Sequence, residues 1–114
     1  MTRPTTVFGG TGYLGRGVVR RLLEEAAGPV RVAVRRPEAA GALFGEGRVE
    51  AVRADVTDPE AVRRAMAGAG AAVNAVSLYV ETREAGFEDV HVGGARHVAA
   101  AAHAAGADLV HVSG

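Results

Sequence analysis

The chain contains no cysteine, no tryptophan and no lysine; all 13 of its basic side chains are arginines. Without cysteine there can be no disulfide framework, thiolate zinc site or cysteine nucleophile. Without lysine there can be no Schiff-base lysine, P-loop lysine or Tyr–Lys catalytic pair. Charge of neither sign dominates. The 13 acidic residues balance the 13 basic ones, which argues against nucleic acid or an anionic membrane as the main partner. No apolar run approaches the roughly 18 residues that would span a bilayer. Met1-Thr2-Arg3-Pro4 opens no apolar stretch ahead of a cleavage site, so a signal peptide is not expected and a cytoplasmic location is the default. A length of 114 residues predicts one domain. Such a chain buries roughly two-thirds of its unfolded surface.

Short apolar runs alternate with helical periodicities. Thr5–Phe8 is a β-rich run that ends at Gly9-Gly10. Leu14, Val18, Leu22 and Ala26 recur at a spacing of four, the mark of one helix face, and Gly28-Pro29 stops that helix. Val30–Val34 reads as a buried strand, Pro37–Phe44 as a short helical turn and Val49–Arg53 as a third strand. Thr57-Asp58-Pro59-Glu60 signals a helix start: Thr57 or Asp58 can cap, Pro59 suits the first helical position, and Glu60 completes a capping box with Thr57. Ala71–Val76 predicts a fourth strand, Glu88–Ala105 a last helix and Leu109–Val112 a fifth strand. Strands alternating with helices, without hairpin signals, define an α/β fold with right-handed crossovers and a parallel sheet.

The first strand and first helix are joined by Phe8-Gly9-Gly10-Thr11-Gly12-Tyr13-Leu14-Gly15, in which Gly9, Gly12 and Gly15 form G-x-x-G-x-x-G. In a dinucleotide-binding unit the first such glycine permits a tight turn, the second lets the backbone approach a pyrophosphate, and the third lets the helix sit close to the sheet. The helix N-terminus offers N–H groups and a positive dipole end to the anion. The pattern follows a strand, opens a helix and precedes a second strand, which is the context the motif requires. Tyr13 lines the resulting crevice or packs the turn, and Leu14 begins the helix beside it.

These residues, with Ala54-Asp55-Val56-Thr57-Asp58, Val73-Asn74-Ala75-Val76 and Leu109-Val110-His111-Val112-Ser113-Gly114, resemble the short-chain dehydrogenase/reductase superfamily. The similarity is to its extended and atypical branches, the epimerase/dehydratase, NmrA-like and complex I accessory-subunit types. The match spans residues 1–114 but corresponds to the N-terminal half of such proteins, so a substrate-binding C-terminal part is expected to be absent. The resemblance implies a Rossmann-type sheet of about five strands in the order 3-2-1-4-5, with a nicotinamide dinucleotide as cofactor.

In that fold the residue ending the second strand lies beside the adenosine ribose. An acid there suits NAD, and an arginine suits the 2′-phosphate of NADP. Arg35 and Arg36 fall at this point, so NADP is preferred, with NAD possible; a solvated surface pair is the alternative. By resemblance, Asp55 bonds the adenine amino group with the Val56 backbone under the ring, or Asp55 merely begins the turn before the helix cap. Asn74 and Ala75 lie beside the bound ribose, or are plain strand-end residues.

No catalytic residue is assigned. The family's Tyr and Lys follow the fifth strand, and Ser113 only begins the corresponding serine segment. Tyr79 and Arg83 imitate a Tyr-x-x-x-basic spacing, but before the last helix, where a solvated loop is the better reading. His91, His97 and His103 are six apart and point to different helix faces, with His111 on a strand, so no metal site is expected. His91 also stands where many relatives have Asn. The reading is the cofactor-binding half of an oxidoreductase or epimerase/dehydratase; the alternative is a non-catalytic sensor or accessory subunit. The fifth strand and the last helix, with Val92, Ala95, Val98, Ala99, Ala102 and Ala105, are expected to be apolar and uncovered, and to join the chain into a homo-oligomer.

Overall fold

A computed structural model describes residues 3–25, 28–45, 47–76 and 94–112. Within these, β1 (Thr5–Phe8), α1 (Tyr13–Glu25), β2 (Val30–Val34), α2 (Glu38–Phe44), β3 (Glu50–Arg53), α3 (Pro59–Met66), β4 (Ala71–Asn74), α4 (Gly94–Ala105) and β5 (Asp108–His111) follow one another. The strands form one sheet in the order β3-β2-β1-β4-β5. All four pairings are parallel, with Thr5 of β1 opposite both Val30 and Ala71. This is the Rossmann-type order that the resemblance implies.

Alternation along the strands divides the core in two. Val7 of β1 and Val30, Val32 and Val34 of β2 pack on one face with Val19 of α1 and with Ala40 and Phe44 of α2. Phe8, Ala33 and Ala72 pack on the other with Val62, Ala65 and Met66 of α3 and Val98, Ala101 and Ala102 of α4. Small alanines on α3 and α4 let those helices lie close to the sheet and to each other.

Polar side chains tie the second layer down. The buried Thr6 hydroxyl donates to the Ala65 carbonyl at 3.0 Å. Arg31 sends Nη1 to the carbonyls of Ala65 and Ala67, at 2.8 and 2.7 Å, while its Nε meets Glu50 at 2.8 Å. Carbonyls at the C-terminal end of α3 thus find a cation, as a helix end favours. Arg3 does likewise for the next connection, donating from Nη2 to Ala69 and Ala105 at 2.7 and 2.9 Å.

Several expected details change. The helix start at 57–60 is capped by Asp58, whose Oδ1 accepts from the Glu60 and Ala61 amides at 3.0 and 3.4 Å. No capping box forms, because the Thr57 hydroxyl donates to Asp55 and the Glu60 carboxylate pairs with Arg63. The buried face of α1 centres on Gly15 and Val19, with Leu14, Val18 and Leu22 half-buried at its margin. A spacing of four drifts around a helix of 3.6 residues per turn, so the stripe runs beside the fully buried line, with Val18 and Leu22 packed against the core from its edge. Ala26 and residues 88–93 of the expected helices lie outside the described residues.

The last helix uses its apolar face within the chain. Val98 and Ala102 are buried against α3 and the sheet, and Ala105 packs against the same cluster. Of the expected uncovered surface, Ala99 is exposed and Ala95 half-buried; Val92 is not among the described residues. In β5, by contrast, Val110 is 57% exposed. Among the described residues no helix is long and apolar enough to cross a membrane.

Candidate dinucleotide site

A cleft opens at the C-terminal ends of the strands. It is lined by Gly9, Thr11 and Gly12 after β1, by Ala33, Val34 and Arg35 at the end of β2, by Ala54, Asp55 and Val56 after β3, and by Val76 after β4. In open α/β sheets ligands bind in this crevice, where strand order reverses. Here the reversal lies between β1 and β4.

The loop after β1 is held tightly. Gly9 has φ +77°, a left-handed conformation that favours glycine, and a Cβ there would lie 2.9 Å from the Ala75 carbonyl oxygen. Its amide donates to Ala33 and its carbonyl accepts from Gly12, both at 3.1 Å. Gly15 faces the same loop so closely that a Cβ would overlap the Gly9 carbonyl. Gly12 differs. A Cβ there would meet only the Gly9 oxygen, at 3.4 Å, an ordinary contact. The protein itself does not demand glycine at 12, yet this position forms part of the cleft wall. A bare backbone facing the cleft suits a group that must come close, such as a pyrophosphate.

The floor after β3 is equally fixed. The Ala54 amide donates to the Val34 carbonyl at 2.9 Å. Asp55 Oδ1 accepts from the Thr57 amide at 2.9 Å and the Thr57 hydroxyl at 2.7 Å. Partial burial by itself would raise the Asp55 pKa. The two Thr57 hydrogen bonds, aided by the Arg35 charge, outweigh it and hold the carboxyl below its ordinary value. Asp55 is therefore an ionised acceptor at neutral pH. It both begins the turn and faces the cleft.

Of the residues expected at the site, Gly9, Gly12, Arg35, Asp55 and Val56 line the cleft. Leu14 is half-buried and Gly15 buried behind the glycine loop, while Arg36 is exposed. Tyr13 is 85% exposed and does not pack the turn. Asn74 ends β4, its Oδ1 accepting from Val76 at 3.3 Å and its Nδ2 lying 3.4 Å from His111 Nδ1. Ala75 is buried, with its amide donating to Phe8 at 2.9 Å. Thr11, Ala33, Val34, Ala54 and Val76 also line the cleft; Thr11, Ala54 and Val76 fall inside the motif segments but have no assigned role there, and Ala33 and Val34 fall outside them. They are small or apolar, and the signals that could have pointed to them are a place in the glycine loop for Thr11 and a place at or just past a strand end for the others. Tyr79, Arg83, His91 and Ser113 lie outside the described residues.

The sheet order, the glycine loop and the cleft together define a dinucleotide-binding Rossmann domain. A family model described as NAD(P)H-binding matches residues 9–114, and the chain belongs to that family. It is 37% identical over 107 residues to ceramide reductase of Caulobacter vibrioides (strain NA1000 / CB15N), covering 94% of this chain and 33% of that protein. It is 33% identical over 112 residues to the mitochondrial NADH dehydrogenase [ubiquinone] 1 alpha subcomplex subunit 9 of Mus musculus, covering 95% of this chain and 30% of that protein. The chain thus spans about a third of the length of these relatives. Among solved structures, uronate dehydrogenase from Agrobacterium tumefaciens superposes with a TM-score of 0.77 at 28% identity, over 98% of this chain and 41% of that one. A mutant of that enzyme complexed with NAD gives 0.73 at 29% identity, over 99% and 41%. A nicotinamide dinucleotide is accordingly the cofactor of this fold.

Proposed function

We propose that the chain is the NADP-preferring cofactor half of an oxidoreductase or epimerase/dehydratase. The observation that carries this reading is the gathering of Gly12, Arg35 and Asp55 around one cleft. Gly12 offers bare backbone to the pyrophosphate. Asp55, ionised, accepts from the adenine amino group over the Val56 backbone. Arg35, with Arg36 next to it, meets the 2′-phosphate through charge-assisted hydrogen bonds. Tyr13, Leu14 and Gly15 belong to the pyrophosphate turn, and Asn74 and Ala75 to the ribose side. The bound dinucleotide would supply hydride chemistry, and this chain's residues would hold and orient it.

The test is calorimetric titration of the wild type and Arg35→Asp with NADP and NAD. Loss of the arginine contact is expected to cost NADP about tenfold to a hundredfold in affinity, with NAD little changed. Equal affinity of the wild type for both, unchanged in Arg35→Asp, would remove the NADP assignment.

A second reading, a non-catalytic sensor or accessory subunit, draws on the similarity to the mitochondrial NADH dehydrogenase subunit. In either case the 114-residue chain is expected to show no cofactor-dependent turnover. It has no lysine to lower the pKa of a catalytic tyrosine. A Tyr-x-x-x-Lys in the reading frame after Gly114 would favour the enzyme over the sensor.

The same reading includes a cytoplasmic location and self-association through β5 or the exposed side of α4. The support for association is Val110, exposed on a strand that pairs with β4 alone among the described strands. Sedimentation at about 100 µM tests it, in the concentration range where exposed strand edges associate. A monomer, unaffected by Val110→Lys, would refute association.

A further inference from the structure

The cleft's lining gives no part to His97, a residue on α4. We infer that His97 is a positioning residue for the adenine end of the dinucleotide, acting through the backbone of Val56. The inference rests on the cofactor reading above.

Val56 is held from two sides by one helix. His97 Nδ1 lies 2.7 Å from the Val56 carbonyl oxygen. A carbonyl can only accept, so Nδ1 carries the proton and donates. One turn earlier, Gly94 abuts the Val56 side chain so closely that a Cβ there would lie 2.8 Å from Val56 Cγ2. Val56 is 8% exposed, and its side chain belongs to the core cluster that contains Val98 and Ala102. Helix α4 therefore grips this residue by its oxygen and by its side chain.

The peptide so gripped is the floor of the cleft. Ala54, Asp55 and Val56 all line it. Ala54 is fixed by its amide to Val34, and Asp55 by its carboxylate to Thr57 and by its carbonyl to the Asp58 amide at 2.9 Å. Those ties all come from β2 or from the turn itself. The Val56 carbonyl adds a hydrogen bond from α4 to the turn, beside the side-chain contact with Gly94. If it were released, the peptide between Val56 and Thr57 could rotate, carrying with it the Thr57 amide that donates to Asp55. The acceptor and the surface offered to the adenine would then lose their common orientation. Positioning of this kind acts on affinity without the residue touching the ligand.

The side-chain chemistry makes positioning separable from packing. An asparagine carries its amide nitrogen on Cγ, as histidine carries Nδ1, so His97→Asn keeps a donor at that place. His97→Leu keeps bulk and removes the donor. The experiment titrates the 114-residue chain and both variants with NADP and with adenosine 2′,5′-bisphosphate, and follows thermal unfolding alongside. His97→Leu is expected to weaken both ligands by the same factor, about tenfold for one lost, partly buried hydrogen bond. His97→Asn is expected to restore most of that affinity. Equal affinity of wild type and His97→Leu would overturn the inference while leaving the cofactor reading intact. Equal weakening in Leu and Asn, with parallel losses of Tm, would overturn it in favour of packing alone. A wild type that binds neither ligand would overturn the cofactor reading, and the inference with it.

Discussion

The carbonyl oxygen of Gly9 occupies the space that a side chain on Gly15 would need. The last glycine of the motif is therefore required by the first one, before any ligand arrives. Helix α1 starts against the loop that closes β1, and this contact sets how near its N-terminus stands to the cleft.

Gly15→Ala is accordingly expected to destabilise the fold by about 2–3 kcal/mol, since backbone cannot be repacked as a side chain can. Gly17 provides the internal control. It lies on the exposed side of the same helix, and a Cβ there would have nothing within 4 Å. Gly17→Ala is expected to stabilise by about 0.5–1 kcal/mol through helix propensity. Urea unfolding of both variants checks the pair; a Gly15→Ala protein as stable as the wild type would contradict the contact.

Gly12→Val separates ligand from fold. The protein leaves ordinary contact distance at that position, so the variant is expected to keep its secondary structure and most of its stability. Its branched side chain would stand in the cleft wall, where the proposed site brings the pyrophosphate against bare backbone. Calorimetric titration is expected to find no measurable NADP binding, and wild-type affinity would remove the glycine loop from the site.

Asp55 makes part of the stability depend on acid. Its pKa is lower in the folded chain than the ordinary 3.8. The unfolded state therefore takes up a proton at higher pH than the folded one. The stabilisation is fully present above the unfolded value and is lost as pH falls through the folded value. Asp55→Asn is expected to flatten that segment of a stability profile, which begins as pH falls toward the unfolded value of 3.8 and continues below it. A variant that retained the wild-type slope would assign the acid sensitivity elsewhere.

The cap on α3 yields a fourth test. Asp58→Ala is expected to cost about 1 kcal/mol, because the first amides of the helix lose their acceptor. Glu60→Gln, which disturbs only an exposed pair with Arg63, is expected to stay within about 0.5 kcal/mol. The reverse order of effects in chemical denaturation would restore the capping box.

What could be read in the residues was whatever local rules control. Strand order followed from the alternation of elements and from the family resemblance, and Gly9, Gly12 and Gly15 were visible because a turn, a ligand and a helix each demand small residues. The choice between Thr57 and Asp58 as cap was not legible, since both have the right chemistry. It is settled by Asp55, which draws the Thr57 hydroxyl away. Val98 and Ala102 were expected to lie open, and their burial depends on how α4 crosses α3, a tertiary fact. The link between His97 and Val56 is less visible still. A donor to a main-chain oxygen 41 residues away leaves no mark in the sequence around either partner.

The central place of β1 has a consequence for the order of assembly. Its first edge is taken by β2, a short crossover later, so β1, β2 and β3 can pair as a unit while the rest of the chain is still being made. Its second edge waits for β4, beyond α3. Until then Val7 and Phe8 sit on a strand with one row of backbone groups open. Emergence from the ribosome thus carries an interval in which the middle of the future sheet is temporarily its margin, and in which another nascent chain could pair where β4 belongs.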